Sequence, residues 1–125
     1  MRSGIEADFG LMLVTDRDLA GARPILDVIA AAVRGGATVV QLREKKASTR
    51  EFVEIGRRVR ALLTPMGVPL LINDRVDVAL AVLADGVHLG QDDMAVADAR
   101  RLLGPSAVIG LTVENMSQAA AADRS

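Results

Sequence analysis

At 125 residues, half of them hydrophobic, the chain has the length of one domain and enough apolar side chains for a real core. Fifteen basic residues stand against sixteen acidic ones, a net charge of −1 with no basic run longer than Lys45-Lys46, so no general nucleic-acid or membrane surface is expected and any anion binding must be local. Two phenylalanines are the only aromatics and cysteine is absent, which excludes base-stacking platforms, disulfides, thiolate chemistry and cysteine-ligated zinc.

Met1 to Gly10 carries acids and lacks the apolar core of a signal peptide, and no apolar run approaches membrane-spanning length, so a cytoplasmic location is expected. Phe9 to Thr15 reads as a buried strand that ends in the charged loop Asp16-Arg17-Asp18. Pro24 stands where a first helical position belongs, Ile25 to Val33 reads as the helix, and Gly35-Gly36 stops it. Next comes Thr38 to Lys46, a β-branched run that ends in charge, as a buried parallel strand does when it emerges at its carboxyl end.

Ser48-Thr49-Arg50-Glu51 is a capping box opening a second helix, with Phe52, Ile55, Val59, Leu62 and Leu63 on its buried stripe and Pro65 and Gly67 at its end. Pro69 to Ile72 predicts a third strand that stops in Asn73-Asp74-Arg75, and Val76 to Ala84 a third helix. After the turn Asp85-Gly86, Val87 to Gly90 predicts a fourth strand, marked at its end by Gln91-Asp92-Asp93. A fourth helix is expected from about Met94 to Leu103, and a fifth strand from Ala107 that exits through Gly110-Leu111-Thr112. Asn115 and Gln118 resemble one more helix start.

Strict alternation of strand and helix over five units predicts a single α/β domain spanning residues 1–125, a parallel sheet joined by right-handed crossovers. The polar clusters all fall at strand carboxyl ends, the edge where parallel α/β proteins bind ligands whether the sheet is open or closed into a barrel. Alternation along the central strand puts Gln41, Arg43 and Lys45 on one side and Leu42 and Glu44 on the other. An amide and two cations in a row suit a diphosphate, with arginine as a planar fork and lysine as a compact charge. Asn73 adds an amide, and Asp74 and Asp93 add two carboxylates, enough for a Mg²⁺ that shares its shell with ligand phosphate and water.

Each element also has a plainer reading. Arg43 and Lys45 fit solvated charges paired with Glu44, Asp74 fits a cap for the third helix, and Asp92 or Asp93 fits a cap for the fourth, Asp92 being the better fit to a structural or solvent role. His88, the only histidine, lies between Val87 and Leu89 and reads as a satisfied buried imidazole, while Met12 and Met94 read as packing. No residue is assigned as a general acid or base.

Leu13-Val-Thr-Asp16, Gly36-Ala-Thr-Val-Val-Gln-Leu-Arg-Glu-Lys45, Leu71-Ile-Asn-Asp-Arg-Val-Asp77, Ala84-Asp-Gly-Val-His-Leu-Gly-Gln-Asp-Asp93 and Ile109-Gly-Leu-Thr112 resemble, in order and spacing, the thiamine phosphate synthase family. The resemblance implies a (β/α)₈ TIM barrel, of which this chain covers about the first five units. It implies a Mg²⁺-dependent transferase that joins 4-amino-2-methyl-5-hydroxymethylpyrimidine diphosphate to a thiazole phosphate by dissociative substitution and releases diphosphate. By matching position, Gln41, Leu42, Arg43, Glu44, Lys45 and Asn73 would hold the pyrimidine diphosphate. Asp74 and Asp93 would bind Mg²⁺, and Thr112 would supply a hydroxyl to the pyrimidine where the family usually has serine.

Thiazole tautomerases share the fold but depart from Gly-Gln-Asp-Asp, so Asp93 favours the synthase. Five units in place of eight suggest a fragment that retains the metal and pyrimidine ligands but is itself inactive, with an open sheet edge that favours a homo-oligomer. The alternative is a non-enzymatic, five-stranded doubly wound module of flavodoxin or receiver type, which fits 125 residues but lacks the receiver's lysine after the fifth strand and the flavin site's aromatics.

Overall fold

Residues 10–15 and 24–111 are described in the computed structural model. Strands and helices alternate through them as β1 (Met12–Val14), α1 (Ile25–Arg34), β2 (Val39–Leu42), α2 (Thr49–Leu63), β3 (Leu70–Asn73), α3 (Val76–Val82), β4 (Gly86–Leu89), α4 (Val96–Leu103) and β5 (Val108–Leu111), with a 3₁₀ turn at Thr64–Met66. The expected first strand begins outside the described residues at Phe9, and the helix start at Asn115 and Gln118 lies outside them altogether, as does Thr112.

Helix boundaries follow local chemistry. Pro24 is the residue before the first helical position of α1, a correction to the expected placement by one residue, and Gly36 leaves the helix with φ 118°. The capping box of α2 forms as expected: Ser48 Oγ accepts from the Glu51 N–H at 3.1 Å and the Ser48 N–H donates to Glu51 Oε1 at 3.3 Å. Such a cap is worth about 1 kcal/mol. Phe52, Val59 and Leu63 are buried as predicted, with Ile55 and Leu62 half-buried against the same core. Gly56 is buried too, because a Cβ there would stand 2.8 Å from Val82 Cγ2 of α3.

All five strands pair in parallel and in sequence order, β1-β2-β3-β4-β5. Right-handed crossovers that always advance the sheet in one direction leave every helix on the same side. Leu13, Val40, Leu42, Leu70, Ile72, Val87, Leu89, Ile109 and Leu111 face the helices and share one core with Ile29, Phe52, Val59, Leu63, Val78 and Leu103. The doubly wound alternative is corrected by this order, since it needs the direction of strand addition to reverse so that helices cover both faces.

Alternation assigns the opposite face to Met12, Val14, Val39, Gln41, Leu71, Asn73, Gly86, His88, Val108 and Gly110, and the register runs Val14 beside Gln41, Gln41 beside Leu71, Leu71 beside Gly86 and Asn73 beside His88. At Gly86 β4 and β5 come so close that a Cβ would stand 1.8 Å from the Val108 carbonyl oxygen. No helix among the described residues is long and apolar enough to cross a membrane.

Candidate active site

Parallel strands finish at the same rim, so four segments distant in sequence become neighbours there. β1 contributes Thr15, β2 the loop from Arg43 to Lys46, β3 Asn73 and Asp74, and β4 the turn from Gly90 to Asp93.

Thr15 is buried, and its Oγ1 accepts the Arg43 N–H at 2.9 Å, anchoring the β2 loop to the neighbouring strand. The strand itself ends at Leu42, so simple alternation no longer governs Arg43, Glu44 and Lys45. Gln41 is buried on the inner face, and its Oε1 accepts from Asn73 Nδ2 at 2.8 Å. Leu42 is fully buried in the helix-facing core, which leaves its backbone as the part that can meet a ligand. Arg43 and Lys45 are exposed and Glu44 is half-buried.

Asp74 takes a left-handed backbone with φ 67°, one that short polar residues tolerate better than most. Its N–H donates to the His88 carbonyl at 2.8 Å, while the Arg75 N–H turns back to the Asn73 carbonyl at 2.8 Å. This tight turn hands the Asp74 carboxylate to Lys45, whose Nζ donates to Oδ2. Burial pushes the Asp74 carboxyl upward, but hydrogen bonds from Lys45 and with Asp93, together with the charges of Lys45 and His88, outweigh it and hold the group below the ordinary carboxylate value.

The capping readings of these acids are not what the fold uses. α3 opens at Arg75 and α4 at Ala95, neither with a side-chain cap bond, so Asp74, Asp92 and Asp93 do not cap them. Asp93 Oδ2 instead accepts the Gly90 N–H at 2.6 Å, and a Cβ on Gly90 would stand 3.0 Å from that oxygen. Asp92 is exposed.

Lys45, Asn73, Asp74 and Asp93 are therefore brought together, with Gln41 joined through Asn73, whereas Arg43 is exposed. Sequence reasoning missed Thr15, although a polar residue at the end of a strand was the signal that singled out the other clusters. It also gave His88 only a packing role. The imidazole is half-buried on the inner face, with Nδ1 where a Cβ on Gly110 would approach to 2.7 Å. Among the described residues no three carboxylate or imidazole groups gather as a complete protein cage. Asp74 and Asp93 alone suit Mg²⁺, which takes one or two carboxylates and fills the rest of its shell with water and phosphate.

Residues 11–125 match the family model described as thiamine monophosphate synthase. Thiamine-phosphate synthases from Xanthobacter autotrophicus and Solidesulfovibrio magneticus are each 58% identical, over 94% and 90% of this chain and 56% and 53% of theirs. The chain thus spans about half the length of the curated relatives it matches. A solved thiamine phosphate pyrophosphorylase from Pyrococcus furiosus is 41% identical and superposes with a TM-score of 0.83 over 91% of this chain and 55% of its own.

Proposed function

We propose, because this chain belongs to the thiamine monophosphate synthase family, that it carries the pyrimidine-diphosphate and metal site of a thiamine phosphate synthase. On this reading the five βα units form one side of a (β/α)₈ barrel with the site at its carboxyl rim. The observation that carries it is the meeting of Lys45, Asp74 and Asp93, contributed by the ends of three strands.

Gln41 and Asn73 orient the pyrimidine ring, with Thr112 adding its hydroxyl. Arg43 and Lys45 hold the diphosphate, while the backbone at Leu42 and the Glu44 side chain border it. Asp74 and Asp93 hold Mg²⁺, which when bound supplies charge neutralisation to the departing diphosphate. The carbon–oxygen bond to diphosphate breaks with its electron pair leaving on oxygen, and the lone pair of the thiazole nitrogen then closes the new carbon–nitrogen bond. Neither step moves a proton to or from a side chain, so the site needs no general acid or base. The substrates are the pyrimidine diphosphate and a thiazole phosphate.

Asp93→Asn in the complete protein tests the reading by Mg²⁺-dependent diphosphate release from the two substrates. Since even second-shell changes cost metal sites 10- to 100-fold, loss of a ligand is expected to lower turnover by at least about a hundredfold. Unchanged turnover removes Asp93 from the metal site. Conversion of a thiazole phosphate with no pyrimidine diphosphate present would favour the tautomerase chemistry instead.

A further inference from the structure

The inner face of β1, β2 and β3 carries a row of three linked side chains. Gln41 Nε2 donates to Met12 Sδ at 3.5 Å, and Gln41 Oε1 accepts from Asn73 Nδ2 at 2.8 Å. The two ends of a primary amide are nearly the same shape and opposite in chemistry, so packing alone cannot choose between its two orientations. Gln41 is only 4% exposed, which leaves little water to make the choice. A thioether accepts and cannot donate, so Met12 draws the amino end of Gln41 toward β1 and turns the carbonyl end toward β3. That carbonyl commits Asn73 Nδ2 and leaves Asn73 Oδ1 as the acceptor offered elsewhere.

We infer that Met12 is a positioning residue: through Gln41 it fixes the orientation of the Asn73 amide, and with it the donor and acceptor pattern shown to a heteroaromatic ligand bearing an amino group. The inference rests on the assignment of Gln41 and Asn73 to the pyrimidine. A leucine at position 12 would fill the same space and set no orientation.

Met12→Leu in the complete protein separates that role from packing, because it preserves volume within what cores tolerate and removes the acceptor. With 4-amino-2-methyl-5-hydroxymethylpyrimidine diphosphate as the varied substrate, it is expected to raise KM about fivefold at unchanged kcat, the equivalent of one ordinary hydrogen bond. A purely structural defect would lower the active fraction, and so kcat, without moving KM. Parental KM in Met12→Leu overturns the inference.

An independent readout needs no ligand. The side-chain amide NMR signals of Gln41 should shift in Met12→Leu and stay in place in Met66→Leu, a change at an exposed methionine. Unmoved Gln41 signals overturn the inference. Shifted signals in a protein that neither binds nor converts the pyrimidine diphosphate would uphold the Met12–Gln41 link while sinking the proposed function.

Discussion

Asp74 combines a left-handed backbone with a carboxylate held by Lys45 and Asp93, and the two features depend on one another. The tight turn costs conformational energy, and what it achieves is to aim the side chain along the rim, away from the helix it precedes. Its depressed titration fixes the sign of a pH effect. A carboxylate whose folded pKa lies below its unfolded value of about 3.9 adds stability at pH above that value and loses the contribution as pH falls through the folded pKa. Lys45→Met removes the hydrogen bond and charge from the lysine while burial continues to push upward. In Mg²⁺-free protein the Asp74 carboxyl should therefore titrate at higher pH in Lys45→Met than in the parent, as followed by NMR of its carboxyl carbon, and acid unfolding should begin at higher pH. An unchanged Asp74 titration would show that Lys45 does not govern it. Sequence alone could not decide between cap and ligand for Asp74, because an aspartate just before a helix fits both. The positive φ, with no side-chain cap bond at the start of α3, removes the cap reading.

Among the helices, what depends on neighbours in sequence was readable and what depends on neighbours in space was not. The capping box of α2 needs only Ser48 and Glu51, three residues apart, and it forms as expected. The contact between Gly56 and Val82 depends on α2 lying against α3, which no local pattern specifies. The end of α3 lies between these cases. The sequence predicted helix as far as Ala84, yet Leu83 already turns left-handed with φ 62°, its carbonyl accepting from Arg60 Nε at 2.9 Å. Glycine usually takes this position, since left-handed backbone costs a branched residue about 1–2 kcal/mol. Leu83 is 52% exposed, so its removal sacrifices little packing. Leu83→Gly should raise stability by about 0.5–1 kcal/mol, read as a higher urea midpoint at unchanged slope. A lower midpoint would mean that the leucine contributes more through contact than its backbone costs.

Across the whole molecule, alternation of strand and helix was legible from apolar periodicity and from the glycine and proline stops, and so was the gathering of polar residues at one rim. Strand order was not, since the same alternation serves a sheet wound from its centre in both directions and a sheet that grows from one edge. Only the pairing of β3 with both β2 and β4, in one unbroken series from β1 to β5, separates them. That series depends on backbone proximity at Gly86. Gly86→Ala places a methyl group against the Val108 carbonyl, where no side chain can yield, so the loss of stability should exceed about 3 kcal/mol. Circular dichroism and thermal unfolding would register it, and a variant as stable as its parent would mean that β4 and β5 can separate without penalty.

The unbroken order also bears on biosynthesis. Each described strand after the first docks beside the one made just before it, so its partner has already left the ribosome when it emerges. No early strand has to wait for a late one to be inserted between it and its neighbour. The sheet can lengthen at the pace of translation, from short-range contacts that close quickly.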